Sequence, residues 1–190
     1  MNVAIIGSGS WATALAKIVM HNAQEINWHI RKQETIDEFI EIRRNPNHLE
    51  WAYFDVSRIH FSADINAVIE QSDLLVLAVP SPYLKQSLND IKVDMSQKMV
   101  ISAVKGMIPD ENLLVTEYMH QYFQVPNENL GVIAGPCHAE EIALERLSYL
   151  TVGCKDMQKA IEWSKLFDTP YVRTTPSNDV EGLEYASVMK

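Results

Sequence analysis

Six residues near the start of the chain restrict the fold more than any other segment. Gly7, Ser8, Gly9, Ser10, Trp11 and Ala12 follow the apolar run Val3, Ala4, Ile5 and Ile6, and lead into Thr13, Ala14, Leu15 and Ala16. In this string the small residues stand where a strand-to-helix turn over a ligand needs them. Gly7 permits the tight turn, Gly9 lets a pyrophosphate approach the backbone, and Ala12 lets helix and strand pack closely. Free amides at the helix start and the positive end of its dipole then attract the anion. By itself the string also describes a plain tight connection; its place after a β-branched strand and before a helix is what predicts dinucleotide binding.

The rest of the chain continues that unit. Short β-branched runs alternate with amphipathic stretches, which predicts strands at residues 3–6, 26–30, 74–79, 99–104, 131–134, 150–152 and 171–173. Helices are predicted at residues 11–21, 35–44, 82–89, 113–122, 139–144 and 157–167, and from 180 onward. The runs at 4–6 and 74–79 are apolar throughout, as befits strands covered on both faces. The fold class expected is therefore α/β, a Rossmann-like doubly wound and mostly parallel sheet. Residues 45–61 read as a long loop with one short strand and say little about function. Asp179 is a helix N-cap, and no Gly, Asn or Pro closes the helix before Lys190. The expected division is a dinucleotide-binding domain over 1–178, with 179–190 opening a helix that leads to a further domain.

Composition narrows the partners. The 190 residues, 47% of them hydrophobic, suffice for one sizeable core. A formal charge of −9 provides no general attraction for nucleic acid or an anionic membrane, so an anionic ligand must be held by local groups. Cys137 and Cys154 make no disulfide framework and no metal-ligand spacing, so no metal is expected and a reducing compartment fits. The first apolar run is too short for a signal peptide, and no run approaches the roughly 20 residues of a membrane span. A cytoplasmic protein is expected.

Further candidates lie at predicted strand ends. After the second strand stand Arg31 and Lys32 in place of an acidic residue. A guanidinium suits a ribose 2′-phosphate where a carboxylate would suit a free hydroxyl, which favours NADP over NAD; the alternative is a solvated basic face. Pro80 follows the strand at 74–79, at the carboxyl end where open α/β sheets place ligands, and a helix start explains the neighbouring Pro82 equally well. Lys105, before Gly106, would point a cation at substrate, or stand as a surface lysine in a turn. Gly135, Pro136, Cys137, His138 and Ala139 join another strand to a helix, with backbone donors at the turn. Cys137 and His138 are too close in sequence to make a good nucleophile and base, and His138 reads as a helix-start residue bonding locally. Lys190 on the last helix is either solvent-exposed or catalytic.

Taken in order, these strings resemble the amino-terminal domain of bacterial NAD(P)-dependent glycerol-3-phosphate dehydrogenases. The resemblance runs through residues 7–16, 73–81, Lys105 with Gly106, 135–141, and 179–182 leading to Lys190. It implies hydride transfer between NAD(P)H and dihydroxyacetone phosphate, supplying glycerol phosphate for phospholipid synthesis, with an all-α second domain and a homodimeric full-length enzyme. It also implies roles. Ser10, Trp11, Arg31 and Ala139 would contact cofactor, Lys105 both cofactor and substrate, and Gly135 and Cys137 substrate; Lys105 and Lys190 would be catalytic, polarising the carbonyl, with Lys190 exchanging the proton. The chain departs from the family's usual residues at Ala12 (Gly), Cys137 (Ser or Thr), and Ala186 with Ser187 (a Gly pair). A thiol donates a hydrogen bond more weakly than a hydroxyl. Ketopantoate and 6-phosphogluconate dehydrogenases, and a non-catalytic dinucleotide sensor, are the alternatives.

Overall fold

The alternation of short apolar runs and amphipathic helices produces one eight-stranded sheet in the computed structural model, which describes residues 1–189. In chain order the elements begin β1 (Val3–Ile6), α1 (Ser10–Asn22), β2 (Ile26–His29), α2 (Gln33–Ile42), β3 (Ile59–Ser62), α3 (Ile65–Glu70), β4 (Leu74–Leu77) and α4 (Ser81–Leu88). They continue with β5 (Met99–Ser102), α5 (Val115–Phe123), β6 (Leu130–Ala134), α6 (Ala139–Ala143), β7 (Ser148–Cys154), α7 (Met157–Phe167), β8 (Val172–Ser177) and α8 (Val180–Val188). The sheet order is β3-β2-β1-β4-β5-β6-β7-β8, with every neighbouring pair parallel except β6 and β7. This is the doubly wound arrangement expected from the sequence.

Both faces of the sheet are covered, and the burial divides by strand alternation. Val3, Ile5, Leu74 and Val76 pack with Leu15, Trp28 and Trp163 on one face. Ala4, Ile6, Leu75 and Leu77 pack with Leu84, Met119 and Val125 on the other. A strand read on both faces by helices has no polar side to show, which is why its sequence lacks alternation.

The short strand expected in the loop over 45–61 is present as β3, whose pairing with β2 runs from Ile26 opposite Ile59 to His29 opposite Ser62. Two other local readings change. The six-residue helix α3 was not anticipated; Asp64 caps it by accepting the Asn66 N–H at 2.9 Å. It is too short to display a period in sequence. At the far edge, β7 and β8 outrun their predicted 150–152 and 171–173, and Pro176 sits within β8. An edge strand tolerates a proline because one row of its amides faces no partner.

The last helix is tied to the domain by a buried acid. Glu184, 3% exposed, accepts the Thr116 N–H at 3.2 Å and also the Thr116 hydroxyl. Thr116 lies in the first turn of α5, whose N-cap position is Leu114, a side chain with no acceptor. Glu184 therefore supplies from α8 a cap that α5 lacks locally. Burial pushes its carboxyl above the ordinary glutamate value, and the Thr116 bonds oppose that rise.

Candidate functional site

Three parallel strands set the floor of the site. The ladder continues past their ends, with the Ala78 N–H donating to Ile6 O at 2.9 Å and the Ala103 N–H to Leu77 O at 2.9 Å. The exits of β1, β4 and β5 are thereby fixed side by side. Successive strands run outward in opposite directions from β1 and β4, so a crevice opens between their exits.

Gly7 makes the turn out of β1 with φ +126°, and a Cβ built there would lie 2.6 Å from Ala78 O. Only glycine meets both demands. Its carbonyl accepts the indole N–H of fully buried Trp28 at 2.7 Å, and its N–H donates to His29 O at 3.3 Å. Gly9 is different: it stands at the N-cap of α1 in ordinary extended backbone, and a Cβ there would meet nothing within 4 Å. That open space lies over the uncapped start of a 13-residue helix with no acid in its first turn. By contrast α6 is five residues long and carries Glu140 and Glu141 in its first turn, at the positive end of its dipole. Of these two helix starts, only that of α1 is free of acidic side chains.

The space over Gly9 is part of a cleft of about 360 Å³ lined by Ser10, Trp11, Pro80, Lys105 and Ala139 among others. A second cleft of about 280 Å³ adjoins it, lined by Gly135, Pro136, Ala186 and Ser187, and again by Trp11 and Lys105. Lys105 holds its ammonium 5.5 Å from the centre of the Trp11 ring, so the two residues stand between the clefts as a cation on an aromatic face. The Trp11 indole N–H is buried without a hydrogen-bond partner among the described residues. An orphan donor costs about 1–3 kcal/mol and suits a site completed by a ligand. The open cradle at Gly9 and this donor both fit a bound dinucleotide.

The predicted residues thus divide. Gly9, Ser10, Trp11, Pro80, Lys105, Ala139 and Gly135 meet around the paired clefts. Gly7 and Ala12 serve from beneath, Ala12 being fully buried in the packing of α1 on the sheet. Arg31 and Lys32 are exposed beyond the end of β2, one strand away from the cradle and outside both clefts. Next to them, burial holds the His29 imidazole below its ordinary pKa. Cys137 is 3% exposed, its side chain packed in the core beside the clefts rather than lining them. His138 takes the N-cap position of α6, as expected, and its carbonyl accepts the Ile142 N–H at 3.2 Å, while its side chain makes no capping bond. Lys190 lies outside the described residues. The departures Ala186 and Ser187 fall on the wall of the second cleft, where added side-chain atoms narrow it.

Sequence reasoning missed one group. In the segment read as uninformative, Asn45 donates to Ser8 O at 2.9 Å, and His48 Nδ1 lies 3.2 Å from Ser10 Oγ. Neither residue sits in a recognisable motif, and only the return of the chain over α1 makes them part of the site.

A family model described as the N-terminus of NAD-dependent glycerol-3-phosphate dehydrogenase matches residues 2–160. The NAD(P)+ glycerol-3-phosphate dehydrogenase of Oceanobacillus iheyensis is 31% identical over 190 residues, covering 99% of this chain and 54% of that protein. Its counterpart in Exiguobacterium sp. is 27% identical over 191 residues, covering 100% of this chain and 56% of that one. The chain spans about half the length of the curated relatives it matches. The solved structure of Plasmodium falciparum glycerol-3-phosphate dehydrogenase superposes with a TM-score of 0.87 at 28% identity, over 98% of this chain and 55% of that one.

Proposed function

The chain belongs to the NAD-dependent glycerol-3-phosphate dehydrogenase N-terminal family, and on that premise we propose that it is the dinucleotide-binding part of an enzyme interconverting dihydroxyacetone phosphate and sn-glycerol 3-phosphate. The observation that carries this reading is the paired cleft, in which the phosphate cradle and Lys105 face one another across Trp11. A 2-oxo sugar phosphate needs a cation at its carbonyl or phosphate and a cofactor at its carbon, and this arrangement offers both on adjoining surfaces. Family membership counts against the ketopantoate and 6-phosphogluconate alternatives.

In this reading Gly7, Gly9, Ser10, Trp11 and Ala12 form the pyrophosphate cradle, while Pro80 and Ala139 bound the cofactor further along the cleft. Bound NAD(P) supplies or accepts the hydride. Lys105 binds substrate and polarises its carbonyl, Gly135 bounds the substrate cleft with buried Cys137 behind it, and Lys190 exchanges the proton with the substrate oxygen. Arg31 and Lys32 sit where the adenosine ribose ends, which favours NADP. Residues 1–178 make the dinucleotide-binding domain, and 179–190 begin the helix leading to a helical substrate domain, through which the enzyme dimerises in the cytoplasm. Half of the substrate site belongs to that domain, so residues 1–178 bind cofactor and the two domains together bind substrate.

Calorimetric titration of the chain with NADPH and NADH tests the reading. Binding of both, tighter for NADPH, is the expected result; no heat from either overturns the cradle assignment. Arg31→Ala is expected to weaken NADPH about tenfold and to leave NADH nearly unchanged, since it removes one charge-assisted contact of roughly 1.4 kcal/mol. Equal losses for both cofactors would show that Arg31 does not read the 2′ position.

A further inference from the structure

We infer that Asn45, assisted by His48, is a positioning residue that holds the phosphate cradle in its ligand-receiving shape, an inference that rests on the dinucleotide reading above. The chain turns sharply after α2, where Arg43 adopts φ +55°, and it returns over the start of α1. Asn45 enters that return 1% exposed. A buried primary amide must satisfy two N–H groups and a carbonyl. Here Nδ2 donates to Ser8 O at 2.9 Å and to the Thr13 hydroxyl at 2.8 Å, while Oδ1 accepts the Asn47 N–H at 3.0 Å. Thr13 in turn donates its hydroxyl hydrogen bond to Gly9 O at 3.0 Å. One side chain thus governs the carbonyls on either side of Gly9.

The geometry of the peptide unit makes that control reach the ligand. In a planar trans peptide the C=O and the following N–H point in opposite directions. Drawing Ser8 O toward Asn45 therefore turns the Gly9 N–H the other way. Trp28 fixes the preceding peptide in the same manner through Gly7 O. His48, which is exposed, adds a contact to Ser10 Oγ at the rim. Preset donors need no reordering when an anion arrives, which is where affinity is gained.

The test compares cofactor affinity with stability in the 190-residue chain. NADPH titrations and thermal melts are run on wild type, Asn45→Ala, Asn45→Asp, His48→Ala and, as control, Asn27→Ala. Asn27 is also a buried amide, donating to Ser72 Oγ at 2.8 Å, but it lies toward the start of β2 away from the cradle. Asn45→Asp keeps the acceptor for Asn47 and faces Ser8 O with an acceptor instead of a donor. Expected are an affinity loss of about tenfold or more in both Asn45 variants, about threefold in His48→Ala, and none in Asn27→Ala despite its lower melting temperature. The phosphorus resonances of bound NADPH shift in the Asn45 variants and not in the control. If Asn45→Ala lowers melting as Asn27→Ala does while affinity and the phosphorus signature stay at wild-type values, the inference is overturned. Should Asn45→Ala not fold, unchanged affinity in Asn45→Asp and His48→Ala overturns it equally. Failure of wild type to bind NADPH is a separate result, which removes the dinucleotide reading itself and this inference with it.

Discussion

Gly9→Val is expected to leave the chain folded and to cost roughly hundredfold in NADPH affinity, about 2.7 kcal/mol, whereas Gly7→Ala is expected to damage the fold itself. The two glycines stand two residues apart and differ in why they are glycine. A side chain at Gly9 meets ordinary backbone angles and open space, so the folded state has nothing to reject beyond a poorer N-cap, about 1 kcal/mol. What it fills is the volume reserved for the pyrophosphate. At Gly7 the first added carbon falls 2.6 Å from a backbone oxygen, in a conformation L-residues rarely adopt. A cost of about 3 kcal/mol follows, which lowers the melting temperature of a domain this size by roughly 10 °C. Melting curves and titrations on both variants check the pair. Normal NADPH binding by a folded Gly9→Val chain would remove the pyrophosphate from this loop.

The second large effect concerns Glu184. Glu184→Ala should cost about 2–3 kcal/mol, because it leaves the Thr116 N–H buried without an acceptor and opens a void between α5 and α8. Glu184→Gln keeps an acceptor and the volume without the charge. Since burial raises the folded-state pKa above the unfolded one, the native state binds the proton more tightly, and this group's contribution falls as pH rises. Its share of stability is fully present below the ordinary glutamate value of 4.5 and is lost as pH climbs through the raised folded value. Wild type should therefore lose stability relative to Glu184→Gln as pH increases across that window. Asp55, Asp94 and Glu111 have lowered values and act in the opposite sense, but equally in both proteins, so the difference between the two melting curves isolates Glu184. Parallel curves at all pH values would show that Glu184 keeps the same protonation folded and unfolded.

Reading from sequence succeeded where a feature is written in consecutive residues. The all-apolar runs of β1 and β4 announced strands buried on both faces, and the helix start at Asp179 was found because the residue sits at its N-cap and accepts the Gly182 N–H. It failed where the element is very short or the deciding partner is distant. The helix α3 is a single turn and a half held by Asp64, too short to show a period in sequence. Nothing in the neighbours of Cys137 reveals that its side chain packs in the core.

The glycine spacing after β1, the covered sheet and the cluster of small and basic residues at strand ends were fixed by the sequence alone, because each depends on backbone sterics or burial that a few adjacent residues specify. Which of those strand ends share a cleft was decided only by the tertiary structure. So was the placing of Asn45 against Ser8 and of Glu184 against Thr116, pairs 37 and 68 residues apart. A buried amide or carboxylate has no local signature, since the group that satisfies it is chosen by where the chain returns, and that return is a property of the whole sheet.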